Sequence, residues 1–120
     1  MRDINSMRLN VQFKRMYSKG RSAASPYIVL YAKKTKYKSA FGITASKKTG
    51  NAVSRNRAKR RIRALYRKFR CRIKDDFDII AVARAKTSVC DYKKLEASFL
   101  KLCKELDILK EAEENGGEAI

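Results

Sequence analysis

A chain of 120 residues with 30 Lys and Arg against 12 Asp and Glu carries a formal net charge of +18, and it contains no His. Its hydrophobic fraction of 44% suits one globular domain with a modest core and excludes a disordered chain. No apolar run nears the roughly 20 residues that a bilayer span needs, and the first residues lack the apolar stretch and cleavage site of a signal peptide, so a cytoplasmic protein is expected.

Met7 to Lys19 reads as a short helix, because Leu9, Phe13, Met16 and Tyr17 share one helical face. Gly20 stops it, and Arg21 to Ser25 reads as a loop before Pro26. Tyr27-Ile-Val-Leu-Tyr31 is rich in β-branched and aromatic residues and predicts a strand. Lys33 to Lys38 is a basic turn, and Ser39 to Ala45 a second strand with Phe41, Ile43 and Ala45 on one face. An antiparallel hairpin between these two strands is expected. Ser46-Lys-Lys-Thr-Gly50 is a basic loop whose Gly permits unusual backbone angles. Asn51 or Ser54 caps a long helix that runs to about Ile73, with Ala58, Ile62, Leu65, Tyr66, Phe69 and Ile73 as its apolar stripe. Phe77-Asp-Ile-Ile-Ala-Val-Ala83 is apolar enough for a central strand. Tyr92 to Leu109 reads as a last amphipathic helix on Leu95, Phe99, Leu102, Leu106 and Leu109. Residues 1–110 form one domain on this reading, and 111–120 an acidic, flexible tail. The element order predicts an α+β fold, a two-layer sandwich of a small mixed sheet with about three helices.

The charge is unevenly spread. Between Asp3 and Asp75 there is no Asp or Glu, yet that stretch holds 22 of the 30 bases; from Asp75 to Ile120, 11 acids face 7 bases. At about 100° per residue, Lys59, Arg60, Arg63, Arg67, Arg70 and Lys74 fall on one flank of the long helix, and Arg57, Arg61, Lys68 and Arg72 on the other. A solvated charged face usually mixes signs in i,i+4 pairs, and this one has no acid to pair with. Such self-repulsion is relieved by a polyanion, and nucleic acid phosphate is the commonest. A membrane-surface helix needs its apolar face free, whereas this face is needed to cover the sheet.

Arginine offers forked donors suited to phosphate oxygens and base edges, and Asn56 both donates and accepts. Lys47, Lys48 and the backbone around Gly50 lead into a helix N-terminus, a ready anion site. Phe13, Tyr17, Tyr27 and Tyr31 are either core residues or rings lining a basic cleft; the residues alone leave both open. Rings in a basic cleft stack on unpaired bases, which suits single-stranded RNA better than duplex DNA. The lack of His removes the usual general base at neutral pH, and the basic region has no carboxylate, so no catalytic residue is expected on this chain. Cys71, Cys90 and Cys103 form no C-x-x-C pair and read as reduced, partly buried thiols, not a zinc site.

The run Ser46-Lys-Lys-Thr-Gly-Asn-Ala-Val-Ser-Arg-Asn-Arg-Ala-Lys-Arg-Arg-Ile-Arg63 resembles the signature of the bacterial ribonuclease P protein family. R-N-R stands at Arg55-Asn56-Arg57, followed by Lys59-Arg60 and Arg63. The flanks agree: F-x-x-x-Y-x-x-G at Phe13 to Gly20, I-V-L-Y at Ile28 to Tyr31, and F-D-I-I-A-V-A-R at Phe77 to Arg84. The resemblance covers roughly Met7 to Leu106. It implies a ribosomal-protein-type α+β sandwich with a left-handed β-α-β crossover around the basic helix, the opposite of the general rule. It implies a subunit of a ribonucleoprotein endonuclease that removes the 5′ leader of precursor tRNA. The RNA subunit is then the catalyst, and Mg²⁺ is held mainly by its phosphates.

By motif position, the resemblance gives the RNA-subunit role to Arg55, Asn56, Arg57, Lys59, Arg60 and Arg63, with Lys47 and Lys48 beside them. Phe13, Tyr17 and Tyr31 take the leader-cleft role, with Tyr17 standing where Phe is common. The partners implied are ribonuclease P RNA and precursor tRNA, with neither membrane nor DNA. The alternative is a structural RNA-binding protein such as a ribosomal component; composition does not separate the two, and the Ser46–Arg63 match favours the first. A nucleoid-type DNA binder comes third.

Overall fold

The computed structural model describes residues 20–36 and 39–110. The helix expected over Met7–Lys19, with Phe13 and Tyr17, lies outside the described residues, as does the tail 111–120. Four strands, β1 (Arg21–Ala24), β2 (Ile28–Lys34), β3 (Phe41–Thr44) and β4 (Phe77–Ala83), combine with two α-helices, α1 (Ala52–Phe69) and α2 (Tyr92–Glu105). Single 3₁₀ turns occupy Lys47–Thr49, Arg70–Arg72 and Ala85–Thr87.

The strands form one sheet in the order β1-β2-β4-β3. β4 is central, as its composition predicts: it pairs antiparallel with β2 and parallel with β3. The expected hairpin between the strands near 27–31 and 39–45 is therefore wrong, because β4 lies between them. A basic turn at 33–38 marks a reversal but does not name the partner. The most apolar run takes the middle, where both edges are hydrogen-bonded and Ile79, Ile80 and Ala81 are buried. The β3-α1-β4 unit joins two neighbouring parallel strands by a helical crossover.

Arg21–Ala24, expected to be loop, is strand β1 and pairs antiparallel with β2 from Arg21↔Ala32 to Ala24↔Val29. Its composition is poor for a strand; pairing with β2 and the turn that follows hold it. In that turn the Ser25 hydroxyl accepts from the N–H groups of Tyr27 and Ile28, both at 3.2 Å. The Arg21 guanidinium also donates to the Leu106 carbonyl at the end of α2.

Strand alternation divides the side chains between two faces. Ile28, Leu30 and Ala32 of β2 join Ile79, Ala81 and Ala83 of β4 in a core with Ala58, Ile62, Leu65, Tyr66 and Phe69 of α1 and Leu95, Phe99, Leu102 and Cys103 of α2. Phe41 stacks on Tyr66 with centroids 3.9 Å apart and planes 9° from parallel, which docks α1 on β3. The opposite face carries a smaller cluster in which Tyr31, Ala40 and Val82 pack around Ile80.

Both helices end earlier than their apolar periodicity suggests. α1 gives way at Arg70 to a 3₁₀ turn, and Ile73 leaves the helix to form a β-bridge with Leu109. α2 stops at Leu106 because Asp107 adopts a left-handed conformation with φ 56°, which short polar residues tolerate. Ile73 and Leu106 are buried all the same: hydrophobic spacing records burial, and here burial outlasts the helix. Among the cysteines, Cys103 is buried, Cys90 intermediate and Cys71 exposed. Burial pushes the Cys103 thiol up to about 12, so it is a neutral core group at neutral pH. Cys71 corrects the expectation that all three would be partly covered.

Candidate nucleic-acid interface

The approach to α1 is built around Gly50. Ser46 caps the Lys47–Thr49 turn by accepting from Lys48 N–H, and the buried Thr49 hydroxyl donates to the Ala83 carbonyl at 3.3 Å, tying the turn to the end of β4. Gly50 then takes φ 141°, and an added Cβ there would meet Ser54 Cβ at 2.9 Å. Both facts require glycine. Asn51 is the cap, its side chain accepting from Ser54 N–H at 2.9 Å. We expect Asn51→Ala to cost about 1 kcal/mol of stability, measured as a shift in urea midpoint. No shift would show that the helix start is held by the turn alone.

The buried stripe of α1 is Ala58, Ile62, Leu65, Tyr66 and Phe69. Outward stand Asn56, Arg57, Arg60 and Arg63, exposed, with Arg55 and Lys59 partly so. None of these five bases has a carboxylate partner among the described residues. The opposite holds around the turn between α1 and β4, where Lys34 pairs with Asp76, Lys74 with Asp107 and Lys110 with Asp75. Positive charge without a counter-charge among the described residues is thus densest along the outer face of α1.

Asn56, Lys59, Arg60 and Arg63 converge with Val53 on a shallow depression of about 430 Å³. Its one apolar lining residue, Val53, is 66% exposed. Arg55 and Arg57 do not line it. Lys48 belongs to a second depression, of about 490 Å³, with Pro26, Ser46, Val82, Ala83, Arg84, Ala85 and Lys86. Tyr31 lies on the sheet face away from the two helices, and Val82 is common to its cluster and to the second depression. The Tyr31 face therefore runs into a basic hollow. Lys47 is exposed in the adjoining turn.

Two bases expected on the open flank are engaged elsewhere. Arg61 donates to backbone carbonyls of the segment before α2. Lys68 pairs with Glu96 at 2.5 Å, and that hydrogen bond and the Glu96 charge raise its pKa. Conversely, Arg84 and Lys86 were not singled out by the sequence. Arg84 closes the F-D-I-I-A-V-A-R run, but only the fold brings both beside Lys48.

The family model for ribonuclease P matches residues 1–107. This chain belongs to the ribonuclease P protein family. It is 34% identical over 113 residues to the ribonuclease P protein component of Alkaliphilus oremlandii, covering 93% of this chain and 99% of that one. With the Clostridium novyi ribonuclease P protein component the identity is 38% over 107 residues, covering 87% and 95%. The RNase P protein of Staphylococcus aureus superposes with a TM-score of 0.79 at 31% identity, covering 90% of this chain and all of that one. That of Thermotoga maritima gives 0.74 at 28%, covering 87% and 97%. The chain is thus a ribonuclease P protein subunit, part of an endoribonuclease of tRNA processing, and ribonuclease P RNA is its implied partner. The match also sets aside the ribosomal and nucleoid alternatives. No described helix is long and apolar enough to cross a membrane.

Proposed function

We propose that the outward face of α1 binds the RNA subunit of ribonuclease P, and that the sheet face carrying Tyr31 holds the 5′ leader of precursor tRNA. The observation that carries the first half is the set Arg55, Arg57, Lys59, Arg60 and Arg63 around Asn56, without a carboxylate partner among the described residues, on a helix whose apolar face is already covered. Arginine forks bind phosphate oxygens two at a time, while Asn56 and Val53 offer an amide and an apolar surface to a base or ribose. Lys47 and Lys48 extend the cationic path around the N-terminus of α1, where the helix dipole favours anions.

The second half is supported by an aromatic in an apolar cluster that leads into the hollow of Lys48, Arg84 and Lys86. A ring for stacking and cations for the backbone are what a single strand requires. Phe13 and Tyr17 join this cleft on the strength of the family resemblance. So does the left-handed sense of the β3-α1-β4 crossover, as well as a third helix ahead of β1. We read residues 1–110 as one RNA-binding domain, followed by an acidic tail, in a cytoplasmic protein that does not bind DNA.

The chemistry that Mg²⁺ would supply in the holoenzyme is activation of water and stabilisation of the leaving oxygen. Among the described residues no three His, Cys, Asp or Glu side chains converge, and Asp75, Asp76 and Asp107 face lysines. This part of the chain is not suited to hold the ion.

Reconstitution tests the reading. Protein freed of RNA is expected to leave precursor tRNA uncut. Added to the RNA subunit, it lowers the Mg²⁺ requirement and favours substrates that carry a leader. Phe13→Ala and Tyr31→Ala are expected to weaken binding of leader-bearing precursor roughly 10-fold, from about 1–3 kcal/mol per stacked base, with little effect on mature tRNA. Equal losses for both substrates would make these rings core residues, and cleavage by RNA-free protein would overturn the whole assignment.

A further inference from the structure

Arg61 lies inside the densest cationic run of the chain, and nothing in the sequence separates it from Arg60 or Arg63. Its surroundings do. Nη1 donates to the carbonyl of Thr87 at 3.0 Å and to that of Cys90 at 2.8 Å. The guanidinium also lies 5.7 Å from the centroid of the Tyr92 ring, within cation–π range. All three anchors belong to the short segment that leaves β4 and enters α2. That segment carries Arg84 and Lys86.

The same segment is held from two other sides. The buried Thr87 hydroxyl donates to the Tyr27 carbonyl at 2.5 Å and accepts from Arg84 N–H at 2.8 Å. Thr49, beside Lys48, bonds the Ala83 carbonyl just ahead of it. Lys48, Arg84 and Lys86 repel one another across their hollow, so something must hold the pieces that carry them. Both hydrogen bonds that Arg61 makes from α1 to this segment are charge-assisted, the stronger kind.

We propose that Arg61 is a positioning residue and not an RNA ligand: it fastens the segment bearing Arg84 and Lys86 to α1, and so fixes the hollow they share with Lys48 relative to the basic helix. Its functional consequence rests on the reading of α1 as the RNA-binding helix. A leucine at 61 keeps the helix and its packing volume but leaves both carbonyls without their donor. The cations of the hollow are then free to move apart.

The test compares full-length wild type, Arg61→Leu and Arg60→Ala in binding to transcribed ribonuclease P RNA over a range of KCl, with amide hydrogen exchange on each free protein. Arg60→Ala is expected to lower the slope of log K against log salt by about 1. Arg61→Leu is expected to weaken binding about 3–10-fold, as substitutions that act without ligand contact do, with the slope unchanged. Exchange over 84–91 should rise roughly 10-fold while β2 stays protected. A slope reduced by about 1 with unchanged exchange would make Arg61 an ordinary phosphate ligand and overturn the proposal. So would a variant with wild-type affinity and wild-type exchange.

Should Arg61→Leu fail to fold, Arg61→Lys keeps the charge but shortens the side chain and loses the guanidinium beside the Tyr92 ring. Faster exchange over 84–91 in that variant supports the proposal, and wild-type exchange overturns it. If Arg60→Ala changes neither affinity nor slope, the RNA-face reading fails, and exchange in the free protein still decides what Arg61 does.

Discussion

Replacing Arg57 and Arg60 together by Ala is expected to weaken binding to ribonuclease P RNA by roughly 100-fold at moderate salt, from about 1.5 kcal/mol or more for each charge-assisted bond. The slope of log K against log salt should fall by about 2. Both side chains are exposed, on opposite flanks of the α1 outer face, and neither contacts a carboxylate among the described residues. Their removal costs the fold little, because Ala is the best helix former and no packing is lost. Relief of self-repulsion should offset part of even that cost. The expected pattern is therefore a protein close to wild type in stability that binds RNA poorly. Filter or fluorescence titration at two salt concentrations checks it. Unchanged affinity and slope would remove this helix from the interface.

Phe99→Ala is expected to cost about 3–5 kcal/mol, a large share of the 5–15 kcal/mol that holds a domain of this size. Phe99 is 1% exposed and its ring centroid lies 6.3 Å from that of Phe69. It joins α2 to Phe69 of α1 within the main core, so its loss opens a cavity there. Self-repulsion of the +18 chain narrows the margin further. A ligand that binds only the folded state should restore stability, so the midpoint in urea is expected to recover with added RNA. A loss below about 1 kcal/mol without RNA would mean that α2 is not part of the cooperative core.

The parts of this fold that were legible in the sequence are those governed by nearby residues. Asn51, Gly50 and the 3.6-residue spacing of Ala58 to Phe69 specify a capped helix with a buried stripe, and both are present. The apolar run of β4 correctly indicates a central strand. What failed depends on pairing at a distance. Nothing local in Arg21–Ala24 favours a strand; β2 makes it one. No local pattern tells that β3 runs parallel to β4 with β2 on the far side.

The candidate site divides in the same way. The R-N-R region was legible because its residues are consecutive and lack counter-charges. The roles of Arg61 and Lys68 were not, since their acceptors are backbone carbonyls of Thr87 and Cys90 in one case and Glu96 on α2 in the other. Arg84 and Lys86 were missed for a related reason: they sit in a mildly acidic stretch of sequence and reach Lys48 only through the ends of β3 and β4.

The central place of β4 bears on how the molecule is made. β2 and β3 leave the ribosome first, yet neither has its main partner until Phe77–Ala83 has been synthesised. For that interval the greasy side of α1 has no strand pair to cover it, while its arginines are already available to any polyanion. Such distant pairings close slowly, and chains caught before closure are prone to stick to one another. A nascent chain halted before residue 77 should therefore aggregate or cling to RNA, and one extended through residue 83 should begin to resist protease.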